Sequence, residues 1–235
     1  MNTDNYFVSF DPTPDQMDEI YSWTTFPSNN FSYIDQLYRS KNVCIATKEN
    51  TVVGFITYKL SAKCIEIVIA ETKEEFRNTG IAKLLLTALS ERLSLKGYLA
   101  YHLYCAPEES QYAWKKLGFE YYPESRYGKA DNKIEMFKIF GDCCTLDESS
   151  KNINPKDNVI KIWDYNTGED DDLPRWITKF DVVENSKKLV KPFLFFGEDD
   201  WKIKVITQDG SKFCRYKDYN RKSEVTQCFY IDELK

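Results

Sequence analysis

The feature that most constrains the fold is an apolar run followed by a short polar loop and a Leu-rich segment, within residues 64–97. Residues 64–70 are apolar except for Glu66, which is typical of a β-strand covered on both faces. After the polar loop, leucines recur every four residues between positions 85 and 93, which is the apolar stripe of an α-helix. A strand that runs through a short loop into a helix predicts an α/β layer.

Strands and helices alternate throughout residues 1–140. The predicted strands are 6–10, 43–47, 52–60, 64–71, 99–105, 119–122 and 133–140, and the predicted helices are 17–23, 32–39, 81–97 and 107–117. Thr13 and Gln16 flank Pro14 in the pattern of a capping box, which predicts a helix start there. The expected fold class is therefore α/β (α+β), with a mixed sheet flanked by helices.

A change in composition at residues 141–156 predicts a linker, because turn-forming and polar residues replace periodic apolar ones. Beyond it the apolar pattern has a period of two residues. The predicted strands there are 159–165, 176–183, 201–207, 212–216 and 228–231. We therefore expect a first domain at 1–140, the linker, and a small β-rich C-terminal domain at 157–235.

Composition excludes several classes of protein. The net charge of −5 argues against nucleic-acid binding by bulk charge. In the most apolar region, the uncharged stretch 84–90 is far shorter than the roughly 20 residues of a membrane span. The N-terminus lacks a secretory signal, which favours a cytoplasmic location. Seven cysteines without a C-x-x-C pair and a single histidine predict no metal site.

The polar loop and the head of the Leu-rich helix form the strongest candidate site. Arg77-Asn78-Thr79-Gly80-Ile81-Ala82 stands where a strand–loop–helix connection leaves backbone N–H groups free, and such groups bind phosphate. Gly80 would allow a close backbone approach. Considered as a bare pattern, the segment also fits an ordinary β–α turn that contains a glycine.

The loop resembles the acetyl-CoA loop of the GCN5-related N-acetyltransferase (GNAT) superfamily. The family pattern is Arg/Gln-x-x-Gly-x-Gly/Ala after a strand, and Arg77, Gly80 and Ala82 match it. The helix that closes on Gly118-Phe119 resembles the second signature of the family. The resemblance covers roughly residues 5–140, and the rest of the chain resembles no family that we recognise.

The resemblance implies a cofactor site for acetyl-CoA as co-substrate, with no metal. The coenzyme pyrophosphate would lie on the N–H groups of Arg77, Asn78, Thr79, Gly80, Ile81 and Ala82. The pantetheine arm would pair like an extra strand with the backbone of Ala70, Glu71 and Thr72. The strands that end near Thr72 and begin near Leu99 would splay to admit it.

Glu66 is the candidate catalytic base. A lone carboxylate in an apolar strand is costly unless it is paired, hydrated or functional, and it also fits an exposed face of the strand. In the histone acetyltransferase branch of the family, a catalytic glutamate begins a Glu-Ile-Val run eleven residues before the loop motif. Glu66 begins such a run eleven residues before Arg77, so the resemblance implies that Glu66 accepts a proton.

Two positions depart from the family pattern. Trp114 stands where the family often has a tyrosine that protonates the leaving thiolate, and Pro107 stands where an asparagine commonly contacts the pantetheine. The general acid is therefore unassigned. His102 lies in a predicted strand, where either a structural or a catalytic role is open.

These observations predict an N-acetyltransferase that moves an acetyl group from acetyl-CoA to a primary amine, with a lean toward a protein or peptide lysine. The alternatives are a small-molecule amine as acceptor, or a non-catalytic coenzyme-A-binding sensor or scaffold. The expected partner is an amine-bearing peptide or small molecule. Nucleic acid and membrane are not expected, and the second domain would recognise the acceptor or pair with another copy of the chain.

Overall fold

The chain divides into two compact units, residues 1–119 and 120–235. The computed structural model describes residues 6–123, 133–144, 146, 153–154, 156–164, 173–198, 200–219 and 228–235. The second unit thus begins earlier than the sequence-based boundary at 141–156, and much of that stretch lies outside the described residues. The linker stays a prediction.

The first unit has five strands and four α-helices. They are β1 Tyr6–Ser9, α1 Pro14–Trp23, α2 Phe31–Arg39, β2 Val43–Lys48, β3 Thr51–Ser61, β4 Cys64–Thr72, α3 Ile81–Ser94, β5 Ala100–Tyr104 and α4 Ser110–Lys116. The strands follow the order β1-β2-β3-β4-β5, and all neighbours are antiparallel except β4 and β5. The mixed sheet flanked by helices is confirmed.

The start of α1 is fixed by the predicted capping box. The Gln16 N–H donates to the Thr13 Oγ1 at 3.3 Å, and the Thr13 N–H donates to the Gln16 Oε1 at 2.9 Å. Two backbone N–H groups that lack helical partners are thereby satisfied. Beyond this start, Met17 and Ile20 of α1 are buried in one cluster with Phe55 of β3.

Helices cover both faces of the sheet. Neighbouring residues of a strand point to opposite faces, so Phe55 and Gly54 of β3 show what lies on each face. Phe55 packs with α1 and α2, whereas the adjacent Gly54 faces the start of α3. A Cβ atom at Gly54 would lie 2.7 Å from the Ile81 Cγ2. Glycine therefore lets the first turn of α3 approach the sheet closely.

β3 and β4 change register at one residue. Thr57 is opposite Ile69, yet the next residue of β3, Tyr58, is opposite Ile67. Val68 is thus an extra residue in β4, a β-bulge that alters the alternation of its side chains. By this pairing, Glu66 lies opposite Lys59 and on the α1/α2 face of the sheet.

β4 and β5 pair only at their beginnings. The parallel register runs from Cys64 opposite Ala100 to Glu66 opposite His102. β4 then continues to Thr72 without a paired residue of β5 in this register. The two strands therefore form a fork that opens just beyond Glu66.

The second unit is rich in β-structure, as predicted. Its elements are β6 Glu120–Tyr121, β7 Glu135–Ile139, β8 Val159–Trp163, β9 Trp176–Lys179, β10 Lys188–Phe196, β11 Lys202–Thr207, β12 Gly210–Arg215, α5 Tyr216–Tyr219 and β13 Cys228–Glu233. A four-stranded sheet has the order β12-β11-β8-β9, and β10 pairs with β13. Tyr122 and Phe137, from the β6–β7 region, contact the Phe196 ring, which places that strand pair in this unit.

An aromatic cluster forms the core of the second unit. The Trp176 and Trp201 rings stack with their centroids 5.3 Å apart, and Phe195 and Phe229 pack around Trp201. Trp201 is only 2% exposed. Large aromatic side chains bury much area each, so this cluster stabilises a small unit effectively.

Candidate active site

A cleft of about 690 Å³ lies at the fork between β4 and β5. Its walls are the segment after α1 at Thr25 and Phe26, Tyr33 of α2, β4 from Ile67 to Thr72, Arg77, the end of β5, and α4. This volume is in the range of small-molecule and cofactor sites, roughly 300–1,000 Å³. The fork therefore opens into a space that could hold a ligand.

The structure brings four of the predicted cofactor residues to this cleft. Ala70, Glu71, Thr72 and Arg77 line it. The other five, residues 78–82, belong to the loop and the first turn of α3 next to Arg77, outside the lining. The predicted strand-edge residues and the predicted loop are thus neighbours.

The loop before α3 has the strained backbone that the glycine motif requires. Gly80 has a φ of 93° and Asn78 a φ of 63°, a region that glycine and asparagine tolerate better than most residues. The Thr79 Oγ1 donates to the Phe76 carbonyl at 2.5 Å. The Arg77 N–H donates to the Glu74 carbonyl at 3.1 Å. The turn is therefore closed by its own hydrogen bonds.

Unpaired amide groups gather at the start of α3. Gly80 caps this helix without a side-chain hydrogen bond, and the first N–H that finds an acceptor is that of Leu84, which donates to the Gly80 carbonyl at 2.9 Å. Among the described residues, no acceptor takes the N–H groups from Asn78 to Lys83. Together with the helix dipole, these donors favour a bound anion such as a phosphate.

Glu66 lies at the vertex of the fork and is half-buried. It does not line the cleft, whose lining on β4 begins at the next residue, Ile67. Lys59 lies opposite Glu66 on β3, and the Lys59 Nζ is 5.0 Å from the centroid of the Tyr33 ring. A hydrogen bond to Tyr33 raises the pKa of Lys59, and the charge of Glu66 also raises it. A cation therefore faces the carboxylate.

α4 forms another part of the cleft wall. It begins at Ser110, three residues later than the predicted helix start at Pro107, whose peptide bond with Ala106 is cis. Trp114 lines the cleft, and its ring lies edge-on to Phe119 with centroids 5.1 Å apart. An indole N–H is not acidic enough to protonate a thiolate, so the position of the family tyrosine offers no acid.

The carboxylate of Glu71 has a role that the sequence analysis did not assign. Its side chain is only 7% exposed and contacts Thr24, Thr25 and Arg77. The two threonines precede it by about 47 residues, so no local pattern could signal the contact. The sequence placed only the backbone of Glu71 in the site.

Composition disfavours a metal site and a membrane span, and the structure bears on both. Within the described residues, no cluster of three or more His, Cys, Asp or Glu side chains could hold a metal ion. In the same part of the chain, no helix is long and apolar enough to cross a membrane.

Comparisons with known proteins agree with the loop motif. A family model for the acetyltransferase (GNAT) family matches residues 9–119. Comparison with curated protein sequences gives no significant match.

Three similar solved structures each match 57–61% of this chain. Ard1 from Thermoplasma volcanium is 20% identical with a TM-score of 0.47, and the match covers 57% of this chain and 97% of that one. PaiA N-acetyltransferase from Thermoplasma acidophilum, in complex with coenzyme A, is 20% identical with a TM-score of 0.45 and shares of 57% and 99%. The ribosomal-protein-S18-alanine N-acetyltransferase from Escherichia coli is 13% identical with a TM-score of 0.46 and shares of 61% and 97%. Residues 9–119 thus match the acetyltransferase (GNAT) family model, and the loop before α3 lies within the match.

Proposed function

We propose that this protein transfers an acetyl group from acetyl-CoA to a primary amine. The observation that carries the proposal is the fork of β4 and β5, which opens into a cleft of about 690 Å³ beside a loop of unpaired amides. An unpaired strand edge can receive an extended amide-bearing chain, and the amides can receive phosphate. Acetyl-CoA carries both.

The coenzyme would bind along this edge. Its pyrophosphate would accept hydrogen bonds from the N–H groups of residues 78–82, because the N–H of Arg77, which the sequence analysis included, already donates to the Glu74 carbonyl. Its pantetheine arm would pair with the backbone of Ala70, Glu71 and Thr72, three residues that line the cleft. The thioester would then point toward the vertex of the fork, where Glu66 lies.

The chemistry requires a neutral amine. A lysine-like amine has a pKa of about 10.4, so removing its proton at pH 7 costs roughly 4–5 kcal/mol. The nitrogen attacks the thioester carbon, a C–N bond forms, the C–S bond breaks, and the sulfur leaves as a thiolate. Glu66 accepts the proton that the ammonium loses before the attack, and the second proton, lost as the attacking nitrogen becomes an amide, passes to the leaving thiolate or to water. Because Glu66 lies just outside the lining, a water molecule would carry the proton to it.

No described side chain is assigned as the general acid. A coenzyme thiol resembles cysteine, with a pKa of about 8.5, so the thiolate is a tolerable leaving group without one. Trp114 at the position of the family tyrosine is compatible with this route. The reaction then depends on Glu66 and on the placement of the two substrates.

For the acceptor we propose a protein or peptide lysine. The Glu-Ile-Val run at Glu66 supports this choice, because it resembles the histone acetyltransferase branch. The second unit would serve recognition or pairing with another copy of the chain, since β9 and β12 are the edge strands of its four-stranded sheet. A small-molecule amine is the alternative acceptor.

A second candidate function is coenzyme binding without turnover, as a sensor or scaffold. Trp114 favours it, because this side chain lines the cleft where the family often has a proton donor. A fold alone does not guarantee activity. The two candidates differ only in whether thiol is released.

The test combines binding and turnover. We expect calorimetric titration to show acetyl-CoA binding, and thiol release to follow when a lysine peptide is added. Polyamines and aminoglycosides, added in parallel, distinguish a small-molecule acceptor from a peptide. Binding without thiol release across the panel would favour the scaffold, and no binding at millimolar acetyl-CoA would contradict both functions.

A further inference from the structure

We infer that Glu71 is a positioning residue that joins the part of the cleft wall after α1 to the proposed cofactor edge. Because the proposed function gives the edge of β4 to the coenzyme, we assign the wall at Thr25, Phe26 and Tyr33 to the acceptor. The inference rests on the proposed function and adds to it a residue that acts through its neighbours. It concerns the side chain of Glu71, whereas the cofactor role proposed above uses only the backbone of this residue. We call Glu71 with its partners Thr24, Thr25 and Arg77 the carboxylate clasp.

Hydrogen-bond donors surround both carboxylate oxygens. The Thr24 Oγ1 donates to the Oε2 at 2.6 Å, and the Thr25 Oγ1 donates to the Oε1 at 2.7 Å. The Thr25 N–H lies 3.2 Å from both oxygens. The Arg77 Nη2 lies 3.9 Å from the Oε1. With the side chain only 7% exposed, these contacts replace most of its water.

The clasp joins three parts of the cleft wall. Glu71 is near the end of β4, Thr25 follows α1, and Arg77 belongs to the loop before α3. All three residues line the cleft. Phe26 and Tyr33, on the same side as Thr25, complete the aromatic part of this wall. The position of the wall relative to the cofactor edge is therefore set through one carboxylate.

A carboxylate fits this arrangement better than the amide of a glutamine does. An ionised glutamate offers acceptors alone, whereas a glutamine replaces one oxygen with an amide NH₂ that is a donor. The partners include a backbone N–H and the guanidinium of Arg77, which cannot act as acceptors. Replacement of Glu71 by glutamine therefore removes the negative charge near Arg77 and leaves the Thr25 N–H with one acceptor oxygen in place of two, with little change in volume.

The same contacts argue against Glu71 as the catalytic base. A base takes up a proton in every turnover, which would place a donor among the donors of Thr24, Thr25 and Arg77. Glu66, at the vertex of the fork, lies between Lys59 and His102 on the neighbouring strands and has no comparable set of donors in the described structure. Glu66 thus serves proton transfer, and Glu71 serves the placement of the cleft wall.

The test is a double-mutant cycle with Glu71→Gln, Thr25→Val and the double variant, measured as thiol release in the full chain. We expect each single variant to raise the acceptor KM by about 10-fold, since a charge-assisted hydrogen bond is lost, with kcat and acetyl-CoA affinity nearly unchanged. The double variant should cost little more than Glu71→Gln alone, because both remove the same contact. Glu91→Gln, which removes an exposed carboxylate of α3, is the matched control.

Additive effects of the two substitutions would overturn the inference, because Glu71 would then not act through Thr25. A fall in kcat with an unchanged acceptor KM would also overturn it and assign Glu71 to the chemistry. If Glu71→Gln does not fold, Thr25→Val alone must still raise the acceptor KM without changing kcat. An unchanged KM in that variant would overturn the inference.

Hydrogen exchange separates this inference from the proposed function. In Glu71→Gln the amide of Thr25 should exchange faster than in the unaltered protein, while the amides in the middle of α3 should not. Unchanged exchange at Thr25 would refute the clasp whether or not the protein turns over acetyl-CoA. Absence of thiol release from the unaltered protein with every amine would instead refute the proposed function, with the clasp still decided by exchange.

Discussion

β4 and β11 are both interior strands of their sheets, but they use their edges differently. β11 pairs along its length with β12 on one side and over five residues with β8 on the other. β4 pairs fully with β3 but only over three residues with β5. A backbone group without a partner must find another, so an interrupted ladder marks where a ligand chain can bind. Pairing on both sides, as in β11, leaves no edge for a ligand and indicates a strand that stabilises its sheet.

The hydrophobic cores of the two units also differ in composition. In the second unit, stacked and edge-on aromatic rings surround Trp201. In the first, the α1/α2 side packs mostly aliphatic side chains, and polar groups meet at the end of β4. Changes in the first unit should therefore alter binding and turnover, whereas changes in the second should alter stability.

The largest effect should come from Glu66→Gln. The variant should bind acetyl-CoA as the unaltered protein does, while its turnover at neutral pH falls by about 10²–10⁴-fold because no base deprotonates the amine. Activity should recover partly as the pH rises toward the pKa of the amine. Glu184→Gln, which removes an exposed carboxylate of the second unit, is the control for steady-state thiol release. Unchanged turnover would remove Glu66 from the mechanism.

Trp201→Ala should produce the largest loss of stability. Truncation of a buried aromatic side chain lowers the free energy of unfolding by about 3–5 kcal/mol. Trp201→Phe should lose less, since part of the ring packing remains. Urea unfolding followed by circular dichroism measures the loss, and calorimetry checks acetyl-CoA binding in the folded protein. A large change in acetyl-CoA affinity would break the division of roles between the units.

Gly80→Val should weaken acetyl-CoA binding. The position has a φ of 93°, where a residue with a Cβ pays roughly 1–2 kcal/mol, and a β-branched side chain would also crowd the amides. We expect the dissociation constant to rise by about 10-fold or more. Gly97→Val carries similar strain, with a φ of 81° outside the cleft lining, and should leave binding unchanged. Equal losses in both variants would mean that strain alone, and not the loop, explains the effect.

A smaller effect concerns pH. Burial raises the pKa of the Cys44 thiol to about 12, whereas the unfolded chain has a cysteine pKa near 9. The raised value in the folded state stabilises the protein below pH 9, and this contribution is lost as the pH rises toward 12. The slope is at most about 1.4 kcal/mol per pH unit.

Urea unfolding between pH 8 and pH 10.5 measures this slope. Cys44→Ala should make the free energy of unfolding less dependent on pH than in the unaltered protein. Burial also raises the pKa of Cys214 in the second unit, but that residue is partly exposed, so Cys214→Ala should change the slope less. Equal slopes in the unaltered protein and Cys44→Ala would contradict the buried thiol.

Local signals made much of the first unit predictable. The capping box at Thr13, the apolar stripe of α3 and the glycine at position 80 each act within a few residues, and each is found where the sequence placed it. β10 was not predicted, because Pro192 interrupts its apolar run and a proline usually argues against a strand. The structure accommodates it at a change of register between β10 and β13.

The remaining features depend on contacts that sequence distance conceals. The partners of the Glu71 carboxylate are 46 and 47 residues away, so only the folded sheet brings them together. The register change at Val68 lies in a continuous apolar run, where no alternation shows which side chain faces which layer. Glu66 shares a face with Ile69 and Glu71, which line the cleft, but it stands at the vertex of the fork, one residue before the lining begins.

The extra residue Val68 determines which face of the sheet the side chain of Glu66 occupies. In a regular strand, residues 66 and 69 would point to opposite sides, yet Glu66 and Ile69 both lie opposite residues of β3 that share one face. If β4 kept Val68 but paired as a regular strand without the bulge, the carboxylate of Glu66 would turn to the opposite face, toward the layer of α3. The bulge therefore sets the direction in which Glu66 points, while the interval of eleven residues sets its separation from Arg77 along the chain.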